Sequence, residues 1–331
     1  MTEKDLLEAF DGKQDKDKEK KKKKISWHAV FVFLSIAEAV VVLILAASLM
    51  SAVRKNRDYE LYIAAMATDV NEYEAKEEDS SEHKEIPLCT YDLSRLTKRD
   101  GFMYYEGDDA ASKVGIDVSY FQGDIDWEKV KESGVDFAMI RIGYRGYESG
   151  AIKLDKKFDE YMTGAAEAGI DTGVYFFSQA VSESEAASEA EFVISHLKGY
   201  DVTYPVVFDW EIIGEESART NDIPVRILTD CTVRFCSDIA SAGYTPMIYT
   251  NTRQALVHID MSELTDYDIW LAEYDDKPSY PYDFKIWQYA SDAIIPGIEN
   301  EVDVNISFVD YSHSDDDNGD EENPSQSDTP E

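Results

Sequence analysis

Between Val114 and Phe308 the pattern of apolar and polar positions alternates between two periods. Short apolar runs of strand length fall at 114–120, 137–144, 172–178, 204–211, 245–251, 267–274, 284–290 and 302–308. Between the early runs lie stretches with helical spacing, at 127–133, 155–168, 184–197 and 224–242. Strands that alternate with helices favour a parallel sheet, because a parallel pair needs a long crossover. Eight such strands in about 195 residues predict the α/β class and a modified (β/α) barrel of the TIM type. The last connections are short and less helical, so the barrel is expected to be irregular there. The chain shows no internal repeat beyond this alternation.

The fourth run ends in Val207-Phe208-Asp209-Trp210-Glu211. Strand side chains alternate, so Asp209 and Glu211 share a face and Trp210 takes the other. Two carboxylates aimed into one pocket raise at least one pKa, and a protonated carboxyl beside an ionised one can cleave a glycosidic bond. The same pair on a solvated loop would do nothing, and the spacing alone leaves both readings open. In barrels of this kind chemistry gathers at the C-terminal strand ends. Those ends carry acids and aromatics, among them Asp117, Tyr144, Tyr175, Asp209, Glu211, Tyr249, Gln288 and Asp303. Aromatic faces suit sugar rings, and Tyr175, Tyr249, Tyr144 and Trp287 with Gln288 are candidate substrate contacts. Trp270 and Trp287 read equally well as core or as sugar platforms. A second Asp-Trp-Glu, at Asp126, Trp127 and Glu128, opens a helical stretch and reads as an N-cap. Gln122 and Gly123 read as a turn, and Arg141 as a cation that offsets interior acids.

Composition narrows the classes of function. The chain of 331 residues has a net charge of −36. The acidic end, 312–331, contributes −8 and the first 24 residues +2, so residues 25–311 carry −30. Such a surface argues against nucleic acid as a partner, since binding to phosphate needs clustered Lys and Arg. Three Cys are too few for a disulfide framework, and Cys231 and Cys236 point to different sides of one helix. The His residues show no metal-ligand spacing, so neither a metal nor another cofactor is expected.

The chain ends read differently from its middle. Residues 27–53 are almost wholly apolar, with Glu38 the only charge, and are long enough to span a bilayer. Six Lys against one acid at 18–24 place the N-terminus on the cytoplasmic side. The expected organisation is a cytoplasmic Lys-rich tail (1–25), a signal-anchor helix in the lipid bilayer (26–53) and an extracytoplasmic stalk (54–112). A barrel (113–311) and a disordered acidic tail (312–331) follow. A cleaved signal peptide is the competing reading, though its apolar part would be shorter. The aromatic patch at 102–105 is expected to pack the end of the stalk onto the barrel.

Several segments together resemble the glycoside hydrolase family 25 muramidases. They are Gly115-Ile-Asp117-Val-Ser119-Tyr-Phe-Gln122-Gly123, Gly173-Val-Tyr-Phe-Phe-Ser178, Asp209-Trp-Glu211, Ile248-Tyr-Thr-Asn251, Trp287-Gln288-Tyr289 and Val302-Asp303-Val-Asn305. The resemblance covers roughly residues 113–311. It implies a modified (β/α) barrel that hydrolyses the β-1,4 bond between N-acetylmuramic acid and N-acetylglucosamine in peptidoglycan. It further implies Glu211 as general acid, and Asp209 as a nucleophile or as the carboxylate that orients the substrate's acetamido group. Asp117 and Asp303 would be the other acids of the site. The alternative expectation is a catalytically silent glycan-binding module of the cell envelope.

Overall fold

A computed structural model describes residues 84–107 and 112–312. The chain divides into two units, Met1–Glu77 and Glu78–Glu331, and all the described residues belong to the second. The expected cytoplasmic tail, bilayer span, first part of the stalk and most of the acidic tail lie outside the described residues. Among those described, no helix is long and apolar enough to cross a membrane.

In chain order the strands and helices are β1 (Leu96–Arg99), β2 (Phe102–Tyr105), β3 (Lys113–Val118), α1 (Trp127–Glu132), β4 (Phe137–Arg145), β5 (Ile152–Leu154), α2 (Phe158–Glu167) and β6 (Asp171–Ser178). They continue as α3 (Glu183–His196), β7 (Val206–Trp210), α4 (Val225–Ser241), β8 (Pro246–Asn251), α5 (Thr252–Val257), β9 (Asp268–Ala272), β10 (Ile286–Ala293) and β11 (Val302–Ser307). All eight expected strands form. They close in the order β3-β4-β6-β7-β8-β9-β10-β11, and β11 returns to β3. Every pairing around this barrel is parallel except the two made by β11. The short connection from β10 to β11 holds no helix, so the chain can only turn back antiparallel. Asp303 therefore stands at the start of its strand, yet pairs with Asp117 near the end of β3.

Helix ends follow their caps. Asp126 accepts a hydrogen bond from Lys129 N and starts α1, as expected for the second Asp-Trp-Glu. Ser182 caps α3 through Glu185 N, while the Glu185 carboxylate accepts from Val181 N. Leu228, Cys231, Phe235 and Ile239 recur at helical spacing along the buried side of α4. Cys231 and Cys236 are buried and free.

Inside the barrel, Phe137, Met139, Val207, Met247, Trp270 and Ile286 form an apolar plug. Gly115 and Gly173 make room for it: a Cβ at either would lie 2.2 Å from the Phe137 ring or 2.7 Å from Met139 Sδ. Outside the barrel, α1 to α4 cover the early strands, and the later connections leave a flank without long helices. Residues 84–107, read from sequence as the end of a stalk, cover that flank. Tyr91 stacks on Phe308 at 4.3 Å between ring centres and meets Phe284 edge-on. Met103 N donates to Tyr289 Oη. The β1–β2 hairpin turns through Asp100 and Gly101, both at positive φ, which matches the strand twist.

Candidate active site

At the C-terminal ends of the parallel strands, above the plug, lies a cavity of about 300 Å³. It brings Asp117, Asp209, Glu211 and Asp303 together with Tyr175, Tyr249 and Gln288. Asp209 comes from β7, and Glu211 follows its end on the same face. Trp210 turns outward into the core and donates Nε1 to Ala180 O. Two buried glutamines hold this backbone: Gln254 Nε2 donates to Trp210 O at 2.7 Å, and Gln179 Nε2 to Glu211 O at 2.9 Å. Gln179 is itself held by Thr220 Oγ1. Neither glutamine stands in a pattern that sequence reasoning could single out.

Asp117 is the one acid of the four with a prepared set of donors. Gln288 Nε2 and Asn305 Nδ2 both donate to its Oδ2 at 2.8 Å. The amides are oriented in turn. Tyr249 and Tyr274 hydroxyls donate to Gln288 Oε1, and Trp270 Nε1 donates to Asn305 Oδ1. Asp209 contrasts with this, because its buried Oδ1 has no partner among the described residues. Arg141 lines the same cavity and is paired with Asp155 at 2.8 Å.

Burial raises all four carboxyls, since low polarity disfavours the charged form. Asp117 is pushed up to about 6, against the pull of its two amide donors. Asp303 rises to about 8, through burial and then the facing Asp117 charge. Glu211 rises for the same two reasons. Asp209 goes well above its ordinary range through burial, Glu211 and Asp117, with Arg141 pulling the other way. At neutral pH the cavity therefore retains protons on carboxyl groups, which a general acid requires.

Two expected contacts lie elsewhere. Trp287 is fully buried on the outer face of β10, with Nε1 donating to Glu273 O. Alternation explains this, since Gln288 takes the inward position and one strand cannot aim both neighbours inward. Trp270 and Tyr274 line the cavity in its place, with Phe121 and Phe177. Tyr144 is half-buried outside the cavity lining, its ring 5.4 Å from the Arg141 guanidinium. Gln122 lines the cavity and also closes a turn, accepting from Ser119 N and donating to Glu301 O. Among the described residues no group of His, Cys, Asp or Glu is arranged to hold a metal ion.

Residues 116–298, more than half of the chain, match the profile of Glycosyl hydrolases family 25. The chain belongs to that family. Its family 25 region is similar to the autolytic lysozyme of Clostridium acetobutylicum, 26% identical over 191 residues that make up 57% of this chain and 54% of that protein. It is also similar to lysozyme M1 of Streptomyces globisporus, 28% identical over 215 residues, 60% of this chain and 68% of that one. The match thus spans about half the length of the first relative and about two thirds of the second. Among solved structures, the modular autolysin LytC of Streptococcus pneumoniae in complex with a synthetic peptidoglycan ligand superposes with a TM-score of 0.55 at 25% identity. That match covers 64% of this chain and 51% of that one.

Proposed function

We propose that this family 25 glycoside hydrolase is a muramidase, cutting the β-1,4 bond between N-acetylmuramic acid and N-acetylglucosamine in peptidoglycan. The observation that carries the reading is the convergence of Asp117, Asp209, Glu211 and Asp303 on one cavity walled by Tyr175, Tyr249 and Trp270. In this reading Glu211 protonates the leaving oxygen. Asp209 offers its unpartnered Oδ1 to the substrate, either as nucleophile or as acceptor for the 2-acetamido N–H. An N–H donated there favours the charged form of Asp209, so substrate binding would leave the proton with Glu211. Asp117 and Asp303 complete the acidic lining, and Gln288 acts by holding Asp117. The apolar stretch at 27–53, with the Lys cluster before it, supports a single-pass anchor that places the barrel outside the cytoplasmic membrane.

Digestion of purified peptidoglycan by the full chain, followed by mass spectrometry, tests the reaction. New reducing ends at muramic acid are expected. Reducing ends at glucosamine would assign a different bond, and the absence of products would overturn the hydrolase reading.

A further inference from the structure

Beside the cavity runs a row of cations and rings that the reaction itself does not need. The Arg141 guanidinium lies 5.2 Å from the centre of the Tyr120 ring, 5.4 Å from that of Phe121 and 5.4 Å from that of Tyr144. Lys156 Nζ lies 4.3 Å from the centre of the same Tyr120 ring, and Lys153 Nζ 5.9 Å from that of Tyr144. Arg141 is committed to Asp155, and the neighbouring Lys157 to Asp124 and Glu160. Lys153 and Lys156 are exposed, and no ion pair joins either to another described residue. Lys98, Lys198 and Lys277 are also exposed and outside any ion pair among the described residues, but only Lys153 and Lys156 stand together, three positions apart, at the cavity end of the barrel.

Their place in the fold gives them a direction. Lys153 stands on β5, which pairs with the C-terminal end of β4 and so belongs to the barrel end that holds the cavity. Lys156 follows in the turn before α2. Neutral sugars offer such lysines no counter-charge. A peptidoglycan strand does, because each muramic residue carries a lactyl-linked peptide stem with free carboxylates. A stem passing four acids is repelled by any that ionise, and cations at the mouth offset that repulsion. The aromatic rings hold the ammonium heads above the surface without neutralising them.

We propose that Lys153 and Lys156 form a carboxylate-binding rim that takes the peptide stem and makes stem-bearing strands the preferred substrate. This rests on the muramidase reading above. The test compares the full chain with its Lys153→Glu/Lys156→Glu variant on peptidoglycan with intact stems and on the same glycan after an amidase has removed them. On stem-bearing strands the variant is expected to raise KM about tenfold with kcat little changed. The wild-type preference for stem-bearing strands should vanish in the variant and shrink with added salt. An equal rise in KM on both substrates, or no rise on either, would overturn the rim. So would an effect that disappears once hydrofluoric acid has removed wall phosphate polymers and left the stems, since phosphate would then be the ligand. Co-sedimentation of the Glu211→Gln chain with intact and with stem-free sacculi reads the rim without any bond being cut. Stem-dependent binding, found together with a wild-type chain that cuts neither substrate, would refute the muramidase reading and keep the rim. Stem-independent binding would refute the rim.

Discussion

Asp209 and Glu211 differ from Asp117 less in burial than in company: amide donors surround Asp117, while Asp209 Oδ1 has none. No hydrogen bond to the Glu211 carboxyl offsets its burial either, and a carboxyl without donors keeps its proton longer. Glu211→Gln should therefore lower turnover by roughly 10²–10⁴-fold with the fold intact, as removal of a general acid does. Asp126→Asn should stay close to wild type, because Asp126 caps α1 and does not line the cavity. Comparable losses in peptidoglycan turnover for the two variants would refute the assignment. Raised carboxyls also bear on stability. Asp303 is raised to about 8 in the folded protein, so the folded state binds its proton more tightly than the unfolded chain. The resulting stability is complete below the ordinary Asp range near 4 and is lost as pH climbs through about 8. Asp303→Asn should thus raise Tm relative to wild type at pH 8.5, and the gain should shrink toward pH 4. Thermal unfolding at the two pH values checks this, and an equal gain at both would show that charge is not the cause.

Among the elements, the least expected is the strap formed by residues 84–107. Its aromatic patch signalled packing, but the flank it covers exists only because the connections after β8 carry no long helix. Tyr91 sits at the centre of that contact, against Phe308, Phe284 and Tyr105. Tyr91→Ala should cost about 2 kcal/mol, since it removes a half-buried ring and its aromatic partners. For a unit of this size that corresponds to roughly 4–8 °C in Tm. Turnover at 25 °C should not change, because the ring is remote from the cavity. Calorimetry together with a peptidoglycan assay checks both halves, and an unchanged Tm would mean that the strap is dispensable. β5 escaped the pattern because three residues are too few to show a period.

At the scale of the molecule, the described chain enters and leaves at one pole. Lys84 pairs with Asp266, just ahead of β9, and Tyr311 Oη donates to Asp268 at the start of that strand. The cavity lies at the opposite pole. The single-pass anchor proposed for residues 27–53 is tested in cells. Protease added to intact, wall-stripped cells should release an active barrel and leave the Lys-rich N-terminus protected. A barrel protected until lysis would reverse the orientation and remove peptidoglycan as its substrate in place.

The sequence by itself determined the eight strands, the four main helices and the acid pair at the end of the fourth barrel strand. Each of these is written in local periodicity: period 2 along a strand, 3.6 along a helix, and a shared face for Asp209 and Glu211. Tertiary structure decided what local pattern does not encode. It turned β11 antiparallel and so brought Asp303 opposite Asp117. It set Trp270 rather than Trp287 in the cavity wall, since the face of β10 that points inward depends on its register with β9 and β11. It also gave Asp117 its amide donors and the backbone of Trp210 and Glu211 its two glutamines. Those contacts join residues 32 to 188 positions apart, and only closure of the barrel brings them within hydrogen-bonding distance.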